Sequence, residues 1–239
     1  MVPLYTDDDL LAMNLKDLRA IDYRHLMRQL SPETFDHIFR QCSALWQHSG
    51  DPKAPHARLT SGLCSNGFVN TLEVLRHTNL CSIMAQQIVG KVLDFYKKPD
   101  WVIGSDHAGA TLSFEVARQL NVDHDFTEKG DGKSQVWKRF EVLPGQLVLQ
   151  VEELITTSLT LKEVRKGIRA GNPLPVEFSP FVVALVHRSD ELELEGTPIH
   201  FIRHFDIKTW DPTVCPLCAQ GSESIPAKKN WARLTESSK

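Results

Sequence analysis

Apolar residues change their spacing near residue 57, and the change divides the sequence into two parts. Over residues 6–48 they recur every three or four positions, Leu10 and Met27 among them, which predicts helices. From residue 57 onwards, short apolar runs are separated by longer amphipathic stretches. The sequence therefore predicts a helical N-terminal extension, residues 1–50, followed by a domain of different construction.

A second helix of this extension is expected to begin at Ser31-Pro-Glu-Thr. Serine suits the N-cap, proline suits the first helical position, and glutamate suits the first turn. Its inward side is expected to carry Phe35, Ile38, Phe39, Leu45 and Trp46. The stretch from Ser49 to Pro55, with two prolines and a glycine, predicts a linker.

Three apolar runs after residue 57 predict buried strands: Trp101–Gly104, Gly145–Val151 and Phe181–Val186. Helical patterns lie before or between them, at 80–96, 112–120 and 159–170. This alternation is typical of an α/β fold with a parallel sheet covered by helices on both faces. Ligands of such sheets bind beyond the carboxyl ends of the strands. We therefore expect chemistry in the loops after Ile103, Val151 and Val186.

The loop after Val151 carries the clearest chemical pattern. Glu152 and Glu153 end a strand, and hydroxyl residues from Thr156 to Thr160 lead into a helix. Carboxylates can accept hydrogen bonds from ribose hydroxyls or hold Mg²⁺ through its waters, and a helix N-terminus with hydroxyls suits a phosphate. The pattern thus indicates a sugar-phosphate site, or else an ordinary acidic turn capped by threonine.

Charge and composition exclude several classes of protein. The 27 Lys and Arg residues are balanced by 30 Asp and Glu residues, a net charge of −3, which excludes a globally basic nucleic-acid binder. No apolar run approaches the roughly 18 residues that a membrane span needs. The first ten residues lack a basic segment, so we expect no signal peptide, and five cysteines favour reduced thiols in the cytoplasm.

Cys215 and Cys218 form a lone CxxC pair, which supplies two of the four ligands of a structural zinc site. His200 and His204 are expected on a strand, about 13 Å apart, so both cannot reach one ion. A second pair from a dimer partner is the remaining route to a zinc site. We therefore expect two reduced thiols and no zinc, and buried thiols at Cys42, Cys64 and Cys81.

Six stretches of the sequence resemble the orotate branch of the type I phosphoribosyltransferases. The residues from Val151 to Thr160 resemble the family's signature for 5-phosphoribosyl diphosphate (PRPP). The others resemble the substrate segment, the diphosphate loop, the start of the mobile catalytic loop, the Asp-Arg-Ser element and the C-terminal segment of that branch; they lie at 59–70, 102–110, 126–133, 186–189 and 210–221. The resemblance covers residues 57–226 and leaves 227–239 as a loose tail.

The resemblance implies a role for each matching residue. Lys129, Glu152 and Glu153 would be catalytic, with Glu152 and Glu153 facing the ribose hydroxyls. PRPP would be bound by Ser105, Asp106, His107, Ala108, Gly109, Thr156, Thr157, Ser158, Leu159 and Thr160, and the base by Phe68, Thr156 and Arg188. The reaction would displace diphosphate from PRPP by a base nitrogen, with Mg²⁺ on the diphosphate. Family members share loops across a two-fold axis, so the resemblance also implies a homodimer, in which residues 1–50 serve as a lid or a dimer contact.

Several positions depart from the family pattern. Glu153 stands for the usual Asp, Ser158 for Gly, Thr60 for a basic residue, and His187 for the Asp before Arg188. A Cβ in place of glycine at Ser158 is expected to strain the loop or crowd the phosphate. Asp106 would repel diphosphate unless a cation intervenes. These departures leave two alternatives open: a non-catalytic module that binds PRPP or a nucleotide, and a transferase for another base.

A few other side chains are candidates of a weaker kind. His107 lies in a site loop and could act in acid–base chemistry, whereas His124 is expected at the surface. Trp101 and Trp137 are expected to be packing residues. A basic cluster comprises Lys133, Lys138 and Arg139, and it is expected either to face solvent or to meet diphosphate.

Overall fold

Helices and strands alternate through the chain, and a computed structural model describes residues 4–26, 29–94 and 97–236. The α-helices are α1 (Asp7–Leu11), α2 (Leu15–Leu18), α3 (Pro32–Gln41), α4 (Leu72–Leu75), α5 (Thr78–Leu93), α6 (Ala108–Leu120), α7 (Leu159–Gly171), α8 (Pro216–Ala219) and α9 (Trp231–Glu236). Short 3-10 helices span Tyr23–His25 and Ala227–Lys229. Met27, the predicted helix end at Tyr96 and residues 237–239 of the predicted tail lie outside the described residues.

The strands are short except at the centre of the fold. They are β1 (Leu45–Gln47), β2 (His56–Arg58), β3 (Cys64–Ser65), β4 (Gly67–Val69), β5 (Trp101–Gly104), β6 (Asp123–Phe126), β7 (Glu128–Lys129), β8 (Gln135–Val136), β9 (Leu147–Ile155), β10 (Glu177–Phe178), β11 (Val182–His187), β12 (Glu193–Leu194), β13 (Thr197–His204), β14 (Thr209–Trp210) and β15 (Ser224–Pro226). In the described ranges no helix is both long and apolar enough to cross a lipid bilayer.

The chain divides into two compact units. The first contains Met1–Phe35 and Leu75–Phe205, and the second contains Asp36–Val74 and Asp206–Lys239. The sequence-based boundaries at residues 50, 57 and 226 follow the order of motifs and not this packing, so the predicted 57–226 domain has segments in both units. The sequence-based boundaries stay a prediction about how function is divided along the chain.

A largely parallel sheet forms the centre of the first unit. Its strand order is β12-β13-β11-β9-β5-β6, with β10 beside the start of β9. The pairs from β6 to β13 are parallel, and β12 is antiparallel to β13. Helix α7 packs Val164 and Ile168 against Trp101, Ile103 and Val148 of β5 and β9. The predicted α/β class with a parallel sheet is confirmed.

The N-terminal residues of the first unit pack against its helices. A capping box between Thr6 and Asp9 begins α1. The Asn79 amide at the start of α5 donates to the Leu18 carbonyl oxygen at 2.7 Å. Ser31 caps α3 as predicted, since its hydroxyl accepts from the Thr34 backbone at 3.1 Å. A lid or dimer role for these residues stays a prediction.

The second unit holds a four-stranded sheet, in the order β14-β3-β2-β15, and the pair β1–β4. Leu45 and Trp46, expected on a helix, lie on β1 and pair with Val69 and Phe68 of β4. Their positions continue the helical spacing of apolar residues, which favours a helix in the sequence. In the structure, cross-strand pairing buries them on a strand.

The predicted loose tail is also corrected over its described part. Residues Trp231–Glu236 form α9, and Leu234 is fully buried. It joins an apolar cluster with Trp46, Ala57, Ile225 and Ala227. The polar residues around Leu234 concealed this buried side chain in the sequence.

A hairpin of β7 and β8 rests on α7 because two helix positions lack a side chain. A Cβ atom at Gly167 would lie 2.3 Å from the Gln135 carbonyl oxygen, and one at Gly171 would lie 2.3 Å from the Trp137 carbonyl oxygen. Both contacts are with backbone, which cannot turn away as a side chain can. The hairpin carries Lys129, so these glycines position a predicted site residue.

We predict that Gly167→Ala destabilises the protein although alanine is the better helix former. Overpacking against backbone costs about 1–3 kcal/mol, which outweighs the roughly 1 kcal/mol gain in helix propensity. Urea denaturation should show a lower midpoint for this variant. Lys166→Ala, a neighbouring change at an exposed side chain, is the control and should leave the midpoint almost unchanged. An unaltered midpoint for Gly167→Ala would contradict the close approach.

Candidate active site

The loops after β5 and β9 meet at one edge of the sheet because the two strands are parallel neighbours. The first loop leads into α6 and the second into α7. Between them and the β7–β8 hairpin lies a cavity of about 300 Å³. It is lined by Ser105, Asp106, His107, Lys129, Gly132, Lys133, Gln135, Glu152, Glu153, Leu154, Leu159 and Thr160.

Glu152 is the most deeply buried acid of this cavity, with 3% of its surface exposed. The Ser105 hydroxyl donates to its Oε2 at 2.8 Å, and its Oε1 has no hydrogen-bond partner. Desolvation raises the pKa of this carboxyl well above its usual range, and the neighbouring Glu153 adds to the rise. A buried acid with an unused oxygen is typical of a binding or catalytic site.

Glu153 shares this environment. Its Oε2 is buried without a partner, and desolvation is the main cause that raises its pKa, with a further contribution from Asp106. The strand β9 runs to Ile155, so both glutamates lie within the strand. The sequence pattern predicts them at its end.

Asp106 connects the loop after β5 with the β7–β8 hairpin. Its carboxylate lies 3.9 Å from the Lys129 ammonium nitrogen and 3.1 Å from His107 Nδ1, and it accepts from the Gln135 amide at 3.2 Å. The expected repulsion between Asp106 and an anionic ligand is therefore opposed by the cation of Lys129. Because Lys129 is exposed, this pair is weak and can re-form around a ligand.

The start of α6 approaches the buried acid closely. A Cβ at Gly109 would lie 2.5 Å from the Ser105 hydroxyl oxygen and 3.3 Å from Glu152 Oε2. The preceding His107 has φ 64° and ψ −111°, which is strained for a residue other than glycine. Ala108 and Gly109 are buried, and neither lines the cavity. The loop thus stores strain where the sequence predicted diphosphate binding.

The predicted phosphate loop is open to solvent at its tip. Thr156 and Thr157 are exposed and do not line the cavity, whereas Leu159 and Thr160 do. Ser158 is buried at φ −74°, a conformation that any residue adopts, so the backbone strain expected from replacing glycine does not arise. The Ser158 hydroxyl makes no hydrogen bond of normal geometry, although it lies close enough to lower the pKa of Glu191.

Arg188 follows β11 in the same unit. Its backbone N–H donates to the Ile155 carbonyl oxygen at 2.9 Å, which fixes it beside the end of β9. Burial lowers the pKa of the guanidinium, and none of the described residues pairs with its side chain. A partly buried cation without a counter-charge suits an anionic ligand.

His187 occupies the position where the family pattern has an acid. Its ring is fully buried, with Nδ1 3.0 Å from His204 Nδ1 and Nε2 2.9 Å from the Glu191 carbonyl oxygen. The histidine therefore joins the ends of β11 and β13 and lies outside the cavity lining.

Phe68 lies in the second unit and packs edge-on against Trp231, with 5.3 Å between ring centroids. Its contact with a base stays a prediction. Trp101 and Trp137 pack against each other in the core, as expected.

The basic cluster of Lys133, Lys138 and Arg139 divides into two groups. Lys133 lines the cavity, whereas Lys138 and Arg139 pair with Glu128, the former at 3.3 Å.

His124, expected at the surface, is half-buried and bonded to the Ser113 hydroxyl at 2.9 Å. Gln135 was missed in the sequence, because only its contacts with Thr127 and Asp106 reveal its place.

Comparison with solved structures shows the class of fold. The orotate phosphoribosyltransferase of Mycobacterium tuberculosis H37Rv aligns with a TM-score of 0.54 at 16% identity, over 70% of this chain and 94% of that one. The enzyme of Aeropyrum pernix aligns with a TM-score of 0.51 at 16% identity, over 70% and 92%. The fold is that of the type I phosphoribosyltransferases.

Sequence comparison places the chain more narrowly, although no protein-family model matches it. The orotate phosphoribosyltransferase of Heliobacterium modesticaldum is 32% identical over 189 residues, which are 79% of this chain and 93% of that protein. The one from Caldicellulosiruptor saccharolyticus is 30% identical over 207 residues, 85% and 98% of the two chains. The chain belongs to the orotate phosphoribosyltransferase family.

We predict that Glu152→Gln stabilises the empty protein at alkaline pH. A carboxyl whose pKa is raised on folding contributes stability below its unfolded pKa, and this is lost as pH rises through the folded value. The amide that replaces the carboxyl cannot ionise, so the variant should gain at least about 1 kcal/mol over the wild type at pH 8, and nothing at pH 4.5. Thermal unfolding across this range is the measurement. Glu141→Gln, at an exposed side chain, is the control, and parallel curves for Glu152→Gln and the wild type would contradict the account.

Proposed function

We propose that this protein transfers the phosphoribosyl group of PRPP to orotate and releases diphosphate. The observation that carries the proposal is the adjacent pair Glu152 and Glu153, each with a buried carboxylate oxygen that has no hydrogen-bond partner, in a cavity that also holds Lys129 and Lys133. Family membership supports the same reaction. The substrate would bring both the hydroxyls that the acids lack and the anions that the lysines attract.

The ribose 5-phosphate part of PRPP would lie between β9 and α7. Glu152 and Glu153 would accept hydrogen bonds from the two ribose hydroxyls, which favours their charged forms. The 5-phosphate would meet the N-terminus of α7, whose amides and dipole attract anions. In this proposal it is held by Thr156, Thr157, Ser158, Leu159 and Thr160.

The diphosphate would lie against the residues from Ser105 to Gly109. Mg²⁺ fits this place because Asp106 and Glu153 offer oxygen ligands, one of them unpartnered, and hard oxygen atoms are what Mg²⁺ prefers. The ion would neutralise charge on the diphosphate when it is bound. Lys129 would exchange its weak pairing with Asp106 for the leaving group.

In the reaction, the bond between C1 of the ribose and the diphosphate oxygen breaks, a bond from C1 to a ring nitrogen of the base forms, and the proton of that nitrogen leaves to water. The electron pair leaves with the diphosphate, and the ribose ring gains oxocarbenium character. Lys129 would stabilise the charge that develops on the leaving group, and the β7–β8 hairpin around it would exclude water.

The base would be recognised by its own carboxylate. The guanidinium of Arg188, which pairs with none of the described residues, can hold this group in a bidentate manner, and Thr156 and Phe68 are the further predicted base contacts. A homodimer in the cytoplasm belongs to the same proposal. Light scattering of the purified protein tests the dimer.

The direct test is an assay with PRPP and Mg²⁺ and four bases: orotate, uracil, hypoxanthine and adenine. We expect diphosphate release with orotate and little with the others. Release with another base alone would establish a transferase of different specificity. PRPP binding without release for any base would instead favour a non-catalytic sensor, the alternative that Glu153, Ser158 and Asp106 motivate.

We predict that Lys129→Ala lowers kcat on the order of 10²-fold, since it removes a cation used mainly in the transition state. Lys138→Ala is the matched control, because that lysine pairs with Glu128 and does not line the cavity. The control should retain the wild-type kcat. Equal kcat values for all three proteins would exclude Lys129 from the reaction.

We predict that Arg188→Gln raises KM for orotate about 10- to 100-fold through loss of a charge-assisted bidentate contact. PRPP affinity, measured by calorimetry without base, should stay nearly constant. Weaker PRPP binding with an unchanged KM for orotate would place Arg188 at the phosphates instead.

A further inference from the structure

Four potential metal ligands from distant parts of the sequence meet in the second unit. They are His56, Cys64, Cys215 and Cys218, and their ligand atoms all lie within 4.8 Å of one another. His56 and Cys64 are fully buried, and Cys215 is 2% exposed. The sequence supplied only the CxxC pair, and the two histidines considered with it, His200 and His204, lie in the other unit. The β2–β3 hairpin of this same chain completes the set.

Three of the six distances between these atoms match the edges of a tetrahedral site, and none of the six exceeds 4.8 Å. The distances are 3.7 Å from Cys64 Sγ to Cys218 Sγ, 3.8 Å from Cys215 Sγ to His56 Nε2, and 3.4 Å from Cys218 Sγ to His56 Nε2. Bonds of about 2.3 Å to sulfur and 2.0–2.1 Å to nitrogen give tetrahedron edges of about 3.5–3.8 Å. One ion at the centre would therefore reach all four ligands with little rearrangement.

A hydrogen bond on the far side of His56 orients its ring for this purpose. Ser222 donates its hydroxyl proton to the Ala54 carbonyl oxygen at 2.7 Å, so its oxygen accepts from His56 Nδ1 at 2.8 Å. The proton is thereby placed on Nδ1, and the lone pair of Nε2 faces the three sulfur atoms. Ligating histidines are characteristically fixed by such a bond from their second nitrogen.

Three thiols and an imidazole are poorly satisfied here without an ion. Thiols are weak hydrogen-bond donors, so the contacts of Cys218 with Cys64 and of both CxxC thiols with His56 stabilise the cluster little. No disulfide joins these cysteines. A divalent ion would displace the thiol protons and replace close contacts between sulfur atoms by four bonds.

We propose that His56, Cys64, Cys215 and Cys218 bind one Zn²⁺ ion as a structural site. Four protein ligands leave no open position for a substrate or water, which distinguishes this site from a catalytic one. The ion would join two segments that are remote in sequence, the β2–β3 hairpin and the turn that begins α8. Its role is thus to hold the second unit together, independently of PRPP binding.

The first test is metal analysis of the full-length protein without a histidine tag, purified under reducing conditions. Plasma mass spectrometry should find about one zinc per chain. After exchange, Co²⁺ should give the visible absorption of a tetrahedral site and the charge-transfer band of thiolate ligands. Metal-free protein that binds neither Zn²⁺ nor Co²⁺, or a Cys64–Cys218 disulfide in mass spectrometry, would overturn the proposal.

Variants test the ligand set. Cys218→Ser and His56→Ala should each lower zinc content to below about half an ion per chain and lower the unfolding temperature. Cys81→Ala, at a buried cysteine of the first unit, is the matched control and should keep its zinc. If a ligand variant is insoluble, a strong chelator applied to the wild type provides the second measurement. Unchanged zinc in both variants, or no fall in unfolding temperature after zinc removal by chelator, would contradict a structural site.

Discussion

The structure of the first unit depends on the cost of removing carboxylate oxygens of two adjacent residues of its central strand, Glu152 and Glu153, from water. Glu152 is held by a single donor, Ser105, while desolvation and Glu153 both oppose its ionisation. A protein selected only for stability would place an apolar residue here. The carboxylate oxygens in the cavity therefore lack hydroxyl donors or a cation as partners, and the surrounding loops are arranged around these oxygens.

Two glycines allow close contacts between the elements that surround this pair. Gly109 lets the start of α6 come within contact of Ser105 and Glu152, and Gly167 lets the hairpin backbone rest on α7. Together they place a helix N-terminus, an exposed cation and two acids around one small volume. The strained backbone of His107 lies in the same volume, as expected where function and not stability sets the geometry.

The sequence predicted what is local and missed what is distant. The strand at Trp101–Gly104, the helix from Leu159 and the acids of β9 follow from spacing and residue type alone. Leu45 and Trp46 were assigned to a helix because a short apolar pair fits either period, and only pairing with β4 decides. Gln135 at Asp106, and His56 at Cys218, join residues far apart in sequence, and no local pattern records such contacts.

Proton release on PRPP binding tests the central claim most directly. Calorimetry of PRPP and Mg²⁺ at pH 7.5, in buffers of different ionisation enthalpy, counts the protons released by the wild type and by Glu152→Gln. If the buried pair ionises when it meets the ribose hydroxyls, the wild type should release up to about one proton more than the variant. Equal release from both proteins, or no PRPP binding by the wild type, would contradict the account.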